Sequence, residues 1–241
     1  GRYHLYIGHA CPWAHRTLIF RRIKELEDKI SLSVVHWYMG ENGWTFDPGD
    51  GVLPDPVNNA RYLYEVYAAA APNFSGRVTI PILWDKQSAT IVNNESSEIM
   101  RMLNSAFDGL GAAEGDFYPY DLRDDIDAIN ERVYHTVNNG VYRCGFATSQ
   151  DAYDEAVVEL FDTLDWLEEL FADRTYLCGE RLTEADWRLF TTLIRFDAVY
   201  YSHFKCNLRR ITEYPRLHAL MIRLYETPGI AGIVHMDHIK R

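Results

Sequence analysis

The chain has 241 residues, 47% of them hydrophobic, and a formal net charge of -11 at pH 7. That length fits one large domain or two smaller ones with a full hydrophobic core. The acidic balance argues against nucleic acid and anionic membranes as partners, and no apolar run approaches the length that spans a membrane.

The four cysteines, Cys11, Cys144, Cys178 and Cys206, are far apart in the sequence and lack the spacing of metal ligands. Such usage is typical of reduced thiols in a cytoplasm and not of a disulfide framework. We therefore expect a cytoplasmic protein that binds no metal.

The first two predicted elements meet at Cys11. Residues 4–7 are short, apolar and aromatic, which predicts a strand, and apolar side chains then recur at helical spacing up to Leu26. Pro12 has the fixed φ and the missing N–H that suit a first helical position, so Cys11 is the predicted N-cap. Because the helix dipole favours an anion there, we expect the pKa of the Cys11 thiol to lie below that of a free cysteine.

Cys11 has no second thiol in its motif, because Ala14 occupies the position where a dithiol redox motif has its second cysteine. A disulfide formed at Cys11 therefore needs a resolving thiol from outside, for which glutathione is the obvious candidate. A buried structural cysteine ahead of a helix is the alternative interpretation. The combination of Pro12 with the strand-to-helix junction favours the reactive one.

The rest of the first half alternates strands and helices. The β-α-β start implies a parallel first pair of strands, and a short link between the last two strands predicts an antiparallel hairpin. The predicted elements after the Cys11 helix are a strand over 30–36, a loop over 39–59, a helix over 59–71, strands over 77–84 and 90–92, and a helix that begins near residue 96. This order, β-α-β-α-β-β-α, is a thioredoxin-like layout with the cysteine at the end of its first strand.

The second half contains helical patterns only. A glycine-rich linker over 108–119 divides the chain into predicted domains at 1–107 and 120–241. Thr183 and Asp186 fit the two positions of a capping box, for which we expect a structural role. Helices are predicted over 121–138, 151–172, 184–200 and 215–226. The predicted fold is an α/β thioredoxin-like N-terminal domain followed by an all-α C-terminal domain.

Six motifs connect this layout with one family. They are Cys11-Pro12-Trp13-Ala14, Glu41-Asn42-Gly43-Trp44, Val92-Asn93-Asn94-Glu95-Ser96, Asn138-Asn139-Gly140-Val141-Tyr142, Gly145-Phe146-Ala147 and Arg195-Phe196-Asp197. With them the chain closely resembles, from Arg2 to Lys240, the glutathionyl-hydroquinone reductases, or xi class of the glutathione transferases.

The resemblance implies a glutathione transferase fold and a defined reaction at Cys11. The cysteine attacks the sulfur of a glutathionyl-hydroquinone, the hydroquinone leaves, and a second glutathione releases oxidised glutathione from the mixed disulfide. It also implies a homodimer, since relatives of this fold are mostly dimers. Members of the family usually continue beyond residues 238–240 into a tail that contributes another tyrosine, whereas this sequence stops at Arg241.

The resemblance also implies contacts for each part of glutathione. The Ile80-Pro81 bond is cis in thioredoxin-like folds, which turns the Ile80 peptide groups toward the cysteinyl part of the ligand. Ser96, at a helix N-terminus, suits the γ-glutamyl carboxylate, and Glu95 suits the ammonium group. A plain helix cap is the alternative for both residues.

Two further glutathione contacts and the hydroquinone contacts follow from the same resemblance. Trp44 is expected to lie against glutathione, and Arg77 to reach its other carboxylate, unless Arg77 is simply a solvated surface residue. Tyr142 and Tyr200 are expected to hydrogen-bond the phenolic oxygens and to assist protonation of the aromatic carbon. The sequence leaves open whether Tyr200 or Tyr201 faces inward, and amphipathic core tyrosines are the alternative for each.

Three other functions compete with the reductase. An omega-like thioltransferase or dehydroascorbate reductase would use the same cysteine. A conjugating glutathione transferase would stabilise the glutathione thiolate with Tyr or Ser, and Cys11 argues against it. A non-enzymatic binding module could dispense with the nucleophile and the glutathione contacts, and this chain has both. The fold alone cannot separate these functions.

Overall fold

The computed structural model describes all 241 residues, which form two compact units. The first unit comprises residues 1–115 and 232–241, and the second comprises residues 116–231. The sequence placed residues 232–241 with the helical part. They belong to the first unit because the ring of His235 stacks on that of His9, with centroids 3.7 Å apart, and because His238 Nε2 donates to the Asp50 carbonyl oxygen at 2.7 Å.

Four strands and four α-helices form the first unit. They are β1 (Tyr3–Ile7), α1 (Pro12–Ile23), β2 (Ile30–Val34), α2 (Leu63–Ala70), β3 (Ile82–Asp85), β4 (Thr90–Asn93), α3 (Ser96–Ser105) and α9 (Met236–Lys240), with a 3-10 turn at Asp108–Leu110. The sheet order is β2-β1-β3-β4. The predicted parallel pairing of β1 with β2 and the antiparallel hairpin of β3 with β4 are both confirmed.

The predicted strand over 77–84 is wrong in its first half, because β3 begins only at Ile82. Pro81 has no N–H for the ladder, and the Ile80-Pro81 peptide bond is cis, as expected. The chain from residue 77 to Pro81 therefore runs as a loop toward the end of β1 that carries the cysteine, instead of extending the sheet.

The central strand β1 carries a buried polar side chain, His4. Its Nδ1 lies 2.7 Å from the Ser31 hydroxyl and its Nε2 lies 2.9 Å from the Ser33 hydroxyl, both on the neighbouring strand β2. Burial lowers the pKa of His4 to about 4. The imidazole is therefore neutral at pH 7 and serves as a hydrogen-bonded part of the core.

The second unit is helical, as predicted. Its α-helices are α4 (Arg123–Val133), α5 (Gly140–Gly145), α6 (Gln150–Leu170), α7 (Glu184–Arg195) and α8 (Pro215–Tyr225), with π-helical turns at Tyr134–Asn138 and Phe196–Tyr200 and 3-10 turns at Tyr120–Leu122 and Ile211–Glu213. The predicted helices over 121–138 and 184–200 each combine an α-helix with the π-helical turn that ends it, and the short α5 was not predicted. Across both units, no helix combines the length and the apolarity that a membrane crossing requires.

The N-terminus of α7 confirms the predicted capping box between Thr183 and Asp186. The Asp186 carboxylate accepts the backbone N–H of Leu177 at 2.8 Å, the N–H of Thr183 at 2.9 Å and the Thr183 hydroxyl at 3.1 Å. Asp186 is 0% exposed, and burial raises its pKa to about 6. Because its oxygens are committed to donors from the chain, Asp186 has a structural role.

Candidate active site

Cys11 is the N-cap of α1, as the sequence predicts, and Pro12 is the first helical residue. Its backbone is extended, with φ -78° and ψ 121°, and its sulfur accepts the N–H of Ala14 at 3.5 Å. The Ile80 carbonyl oxygen lies 3.9 Å from the same sulfur. The partly exposed thiol therefore faces the N–H groups of a helix on one side and the loop before β3 on the other.

The loop that carries Ile80 is fixed by one tyrosine. The Tyr67 hydroxyl, on α2, donates to the Thr79 carbonyl oxygen at 2.9 Å and accepts the Thr79 N–H at 3.3 Å. Asn94 Nδ2 donates to the same hydroxyl at 3.0 Å. Tyr67 thus joins α2, the Ile80 loop and the segment before α3. Sequence reasoning missed this residue, because the link spans distant parts of the chain.

Glu95 and Ser96 lie at the N-terminus of α3, and Glu95 is the N-cap. The Glu95 Oε1 atom accepts the Ser97 N–H at 3.2 Å and the Ser96 hydroxyl at 3.3 Å. Glu95 is exposed, whereas Ser96 is buried. These hydrogen bonds establish the cap, and they all involve Oε1, so the cap does not use the second carboxylate oxygen.

Arg16 connects the cysteine helix with α3 and was missed by sequence reasoning. It is buried, its Nη1 donates to the Ser96 hydroxyl at 3.4 Å, and its guanidinium lies 4.5 Å from the ring centroid of Trp13. A buried guanidinium therefore lies directly behind Ser96 and adds positive charge at the start of α3. The sequence could have pointed to Arg16, because a charged residue lies five residues after Cys11 on the buried face of α1.

The other two predicted glutathione contacts lie in loops of the first unit. Trp44 is half-buried, and its carbonyl oxygen accepts the N–H of Leu63, the first residue of α2, at 2.9 Å. Arg77 is exposed, three residues before Ile80. The structure holds the backbone at Trp44 in place, and it leaves Arg77 as an exposed cation in the loop that leads to Ile80.

Three histidines that sequence reasoning missed lie close to the Cys11 motif. The ring of His9 stacks on His235 and meets His238 edge-on at 5.1 Å. Burial and the neighbouring His238 lower the pKa of His235. Because His9 is two residues before Cys11, this group attaches residues 235–238 to the loop that ends at the thiol.

The predicted hydroquinone residues lie together in the second unit. The rings of Tyr142 and Tyr200 are 6.0 Å apart in an edge-on arrangement, and Phe204 lies 5.4 Å from each. Phe146, which is 70% exposed, lies 5.3 Å from Phe204. We call these four residues, Tyr142, Phe146, Tyr200 and Phe204, the aromatic cluster.

The two adjacent tyrosines, Tyr200 and Tyr201, have different surroundings. Tyr200 packs within the aromatic cluster and is 3% exposed, whereas Tyr201 lies under the Arg210 guanidinium, 3.8 Å from its ring centroid. A Cβ added at Gly145 would lie 2.4 Å from the Phe204 ring, so only glycine permits this approach. Sequence reasoning missed Phe146 and Phe204, although Gly145-Phe146 stands in one of the motifs.

Two family models match the chain. The glutathione S-transferase N-terminal domain matches residues 10–106, and the glutathione S-transferase C-terminal domain matches residues 150–223. The first range contains Cys11, the Ile80 loop and the start of α3. The second lies within the helical unit.

Among curated proteins, the chain is 63% identical over 240 residues to the glutathionyl-hydroquinone reductase PcpF of Sphingobium chlorophenolicum, with 100% of this chain and 77% of the relative covered. It is 55% identical over 240 residues to the glutathionyl-hydroquinone reductase YqjG of Escherichia coli K12, with 99% and 73% covered.

Among solved structures, the glutathione-bound structure of YqjG matches with a TM-score of 0.97 and 56% identity, covering 99% of this chain and 78% of that one. The xi glutathione S-transferase of Phanerochaete chrysosporium matches with a TM-score of 0.97 and 52% identity, covering 100% and 83%.

Proposed function

Since the chain belongs to the glutathionyl-hydroquinone reductases, the xi class of the glutathione transferases, we propose that it reduces S-glutathionyl-hydroquinones to hydroquinones with glutathione as co-substrate. The observation that carries the proposal is the Cys11 sulfur at the N-cap of α1, partly exposed and 3.9 Å from the Ile80 carbonyl oxygen. A thiol in that setting is a nucleophile, and its motif holds no second cysteine.

In the first step, the Cys11 thiolate attacks the sulfur of the glutathionyl group. A sulfur–sulfur bond forms, the bond between sulfur and the aromatic carbon breaks, and that carbon takes up a proton as the hydroquinone leaves. In the second step, the thiolate of another glutathione attacks the mixed disulfide. Oxidised glutathione leaves and the Cys11 thiolate is regenerated. Ala14 cannot resolve the disulfide, which makes the second glutathione obligatory.

Glutathione binding follows from the groups around Cys11. The Ile80 peptide groups pair with the cysteinyl part of the ligand in the manner of an added strand. The Ser96 hydroxyl and the first N–H groups of α3 bind the γ-glutamyl carboxylate, and Arg16 supports them with its charge. Glu95 binds the ammonium group.

The two remaining contacts are with the outer part of glutathione. Trp44 packs against the ligand, and the exposed cation of Arg77 attracts its glycyl carboxylate. We expect Arg77 to contribute least, because an exposed ion pair is screened by solvent.

We assign the handling of the proton to Tyr142 and Tyr200. Their hydroxyls donate to the phenolic oxygens and assist protonation of the aromatic carbon. Tyr142 is partly exposed and Tyr200 is buried behind it. Tyr142 is therefore the first contact for the ring, and replacing it by Phe should lower turnover more than the same change at Tyr200.

The test is an assay of the purified protein on a glutathionyl-hydroquinone with excess glutathione. We expect one hydroquinone and one oxidised glutathione per turnover, and a glutathione adduct on Cys11 by intact-mass and peptide analysis. Reduction of dehydroascorbate or of small mixed disulfides without hydroquinone formation would instead establish the omega-like alternative. Conjugation of glutathione to electrophiles as the only activity would establish a conjugating transferase.

We also propose that the protein is a homodimer with two-fold symmetry and that it works in the cytoplasm. None of its four cysteines is disulfide-bonded, and the helical unit exposes large aromatic side chains such as Tyr120 and Phe146. Light scattering across a concentration series should give twice the mass of the chain. A monomer mass throughout would contradict the dimer.

A further inference from the structure

Two of the cysteines outside the active site form a pair in the helical unit. Cys144 lies in the last turn of α5, and Cys206 follows the aromatic cluster. One cavity is lined by Cys144 together with Lys205 and Asn207, the residues on either side of Cys206. The Cys206 sulfur lies 3.9 Å from the carbonyl oxygen of Val141, three residues before Cys144 on the same helix. This contact places Cys206 beside the turn of α5 that leads to Cys144.

The two thiols differ in acidity, as the members of a reactive dithiol do. The neighbouring Cys206 thiol and the charge of Arg143 lower the pKa of Cys144. The neighbouring Cys144 thiol and burial raise the pKa of Cys206. Cys178 is the contrast, because burial raises the pKa of its thiol to about 11 and its sulfur accepts the Thr183 hydroxyl at 3.9 Å. Cys144 also lines the cavity, which Cys206 does not, so Cys144 is the nucleophile of the pair.

Access to Cys144 is restricted to small molecules. Both thiols are almost completely buried. An open cavity of about 360 Å³ lies against Cys144 and is bordered by Tyr153 and Asn207. The Tyr153 hydroxyl donates to the Lys205 carbonyl oxygen at 2.6 Å and so attaches α6 to the segment that carries Cys206. A peroxide molecule fits such an approach far better than a peptide disulfide does.

We propose that Cys144 and Cys206 form a second redox site, a dithiol that hydrogen peroxide oxidises to an intramolecular disulfide. The Cys144 thiolate attacks one peroxide oxygen, the oxygen–oxygen bond breaks, and a sulfenic acid and hydroxide form. The Cys206 sulfur then attacks the Cys144 sulfur, the sulfur–oxygen bond breaks, and water leaves with the Cys206 proton. Two thiols lose two electrons in total, and one peroxide becomes two waters.

The disulfide would join the two segments that carry the aromatic cluster. Tyr142 lies on α5 with Cys144, and Phe204 is two residues before Cys206. The bond closes a loop of roughly 60 residues, which restricts the unfolded chain. Oxidation should therefore stabilise the helical unit and fix the spacing of Tyr142 and Phe204. The proposal does not depend on which reaction Cys11 performs.

The experiment treats the reduced full-length chain with hydrogen peroxide, denatures it, and labels the remaining thiols with N-ethylmaleimide. We expect peptide analysis to find Cys144 linked to Cys206, with Cys178 still labelled. The linked form should unfold at a higher temperature than the reduced chain, and dithiothreitol should reverse both changes. The Cys11→Ser variant should form the same link, since Cys11 takes no part in the proposed reaction.

Three matched variants make the outcome decisive. Cys178→Ser should form the link as wild type does, whereas Cys144→Ala and Cys206→Ala should not. Labelling of both Cys144 and Cys206 after Cys11 has been fully oxidised would overturn the proposal. So would separate sulfinic acids at the two positions, or a link that leaves the unfolding temperature unchanged. The peptide analysis of the wild-type chain tests the proposal even if one of the variants fails to fold.

Discussion

Two helix N-termini, one in each unit, use the same physics for opposite purposes. Each begins with N–H groups that have no partner within the helix and a dipole that favours negative charge. At α1 the cap is the partly exposed sulfur of Cys11, which accepts one N–H at the long distance of 3.5 Å. At α7 the cap is Thr183 with Asp186, fully buried and bonded to three donors.

The difference lies in what remains after the cap is made. Asp186 has committed its oxygens to the chain, so it stabilises the fold and has nothing left for a ligand. The Cys11 sulfur, by contrast, belongs to a partly exposed residue. Glu95 at α3 is intermediate, because its cap bonds involve Oε1 only and the side chain is exposed. A capping residue is therefore a candidate for function in proportion to its unused capacity and its exposure.

The largest effect is expected from Cys11→Ser, which keeps a capping side chain at α1 and removes the nucleophile. Serine is a good N-cap, so the free energy of unfolding should stay within about 0.5 kcal/mol of wild type. Its hydroxyl is un-ionised at pH 7, so kcat/KM for the reductase reaction should fall by about 10³-fold or more. Steady-state kinetics and urea unfolding check both halves, and Cys178→Ser is the control that keeps full activity. Full reductase activity in Cys11→Ser would remove Cys11 from the mechanism.

The converse change is Asp186→Ala. It leaves the buried N–H groups of Leu177 and Thr183 without their acceptor, so the free energy of unfolding should fall by about 3 kcal/mol. Glutathione affinity of the folded protein should not change. Asp186→Asn keeps one acceptor oxygen, so its free energy of unfolding should fall by less than that of Asp186→Ala. Urea unfolding at constant m-value measures the difference, and a loss in Asp186→Ala below 1 kcal/mol would show that the cap is not structural.

The intermediate cap should show an intermediate response. Glu95→Ala and Ser96→Ala each remove a hydrogen bond to a charged group of glutathione, which should weaken binding by about 1.5–3 kcal/mol. Calorimetric titration with glutathione gives the affinities. Glu98→Ala, in the first turn of the same helix, is the matched control and should bind nearly as wild type does. Unchanged affinity in both Glu95→Ala and Ser96→Ala would leave these residues with a capping role only.

The smallest predicted effect compares the buried titratable groups of the two units. The pKa of His4 is lowered to about 4 in the folded chain, so the unfolded chain takes up the proton first on acidification. Stability is therefore lost as the pH falls below about 6.5. Asp186 has its pKa raised to about 6, so its ionisation lowers stability as pH rises from about 4 toward 6.

The two contributions have opposite signs, and single variants separate them. Between pH 7 and 5.5 the difference in the free energy of unfolding between wild type and His4→Gln should change by about 1 kcal/mol, because the wild type loses more stability. The difference for Asp186→Asn should change in the other direction. Chemical unfolding across that pH range measures both differences. If both changed in the same direction, the roles assigned to His4 and Asp186 would be contradicted.

Much of this comparison was predictable from sequence, because helix caps are local. Pro12 after Cys11, and Thr183 three residues before Asp186, each set a helix start within a few residues of chain. The same holds for the order of strands and helices along the first unit, whereas the strand predicted over 77–84 begins only at Ile82.

Contacts between distant segments were not predictable in this way. Arg16 behind Ser96, the Cys144–Cys206 pair and the aromatic cluster depend on which surfaces meet after folding. The π-helical turn over Phe196–Tyr200 looks like continued helix in the sequence, because its apolar spacing differs from that of an α-helix by only one residue per turn.

The return of residues 232–241 to the first unit also has a consequence for how the protein is made. Synthesis proceeds at roughly 5–20 residues per second, so His235 is added on the order of ten seconds or more after Cys11. During that interval the residues of the sheet and the cysteine helix are all present, while His9 still lacks the ring that stacks on it. The first unit can therefore be completed only after the helical unit has been synthesised, although its nucleophile lies in the part made first.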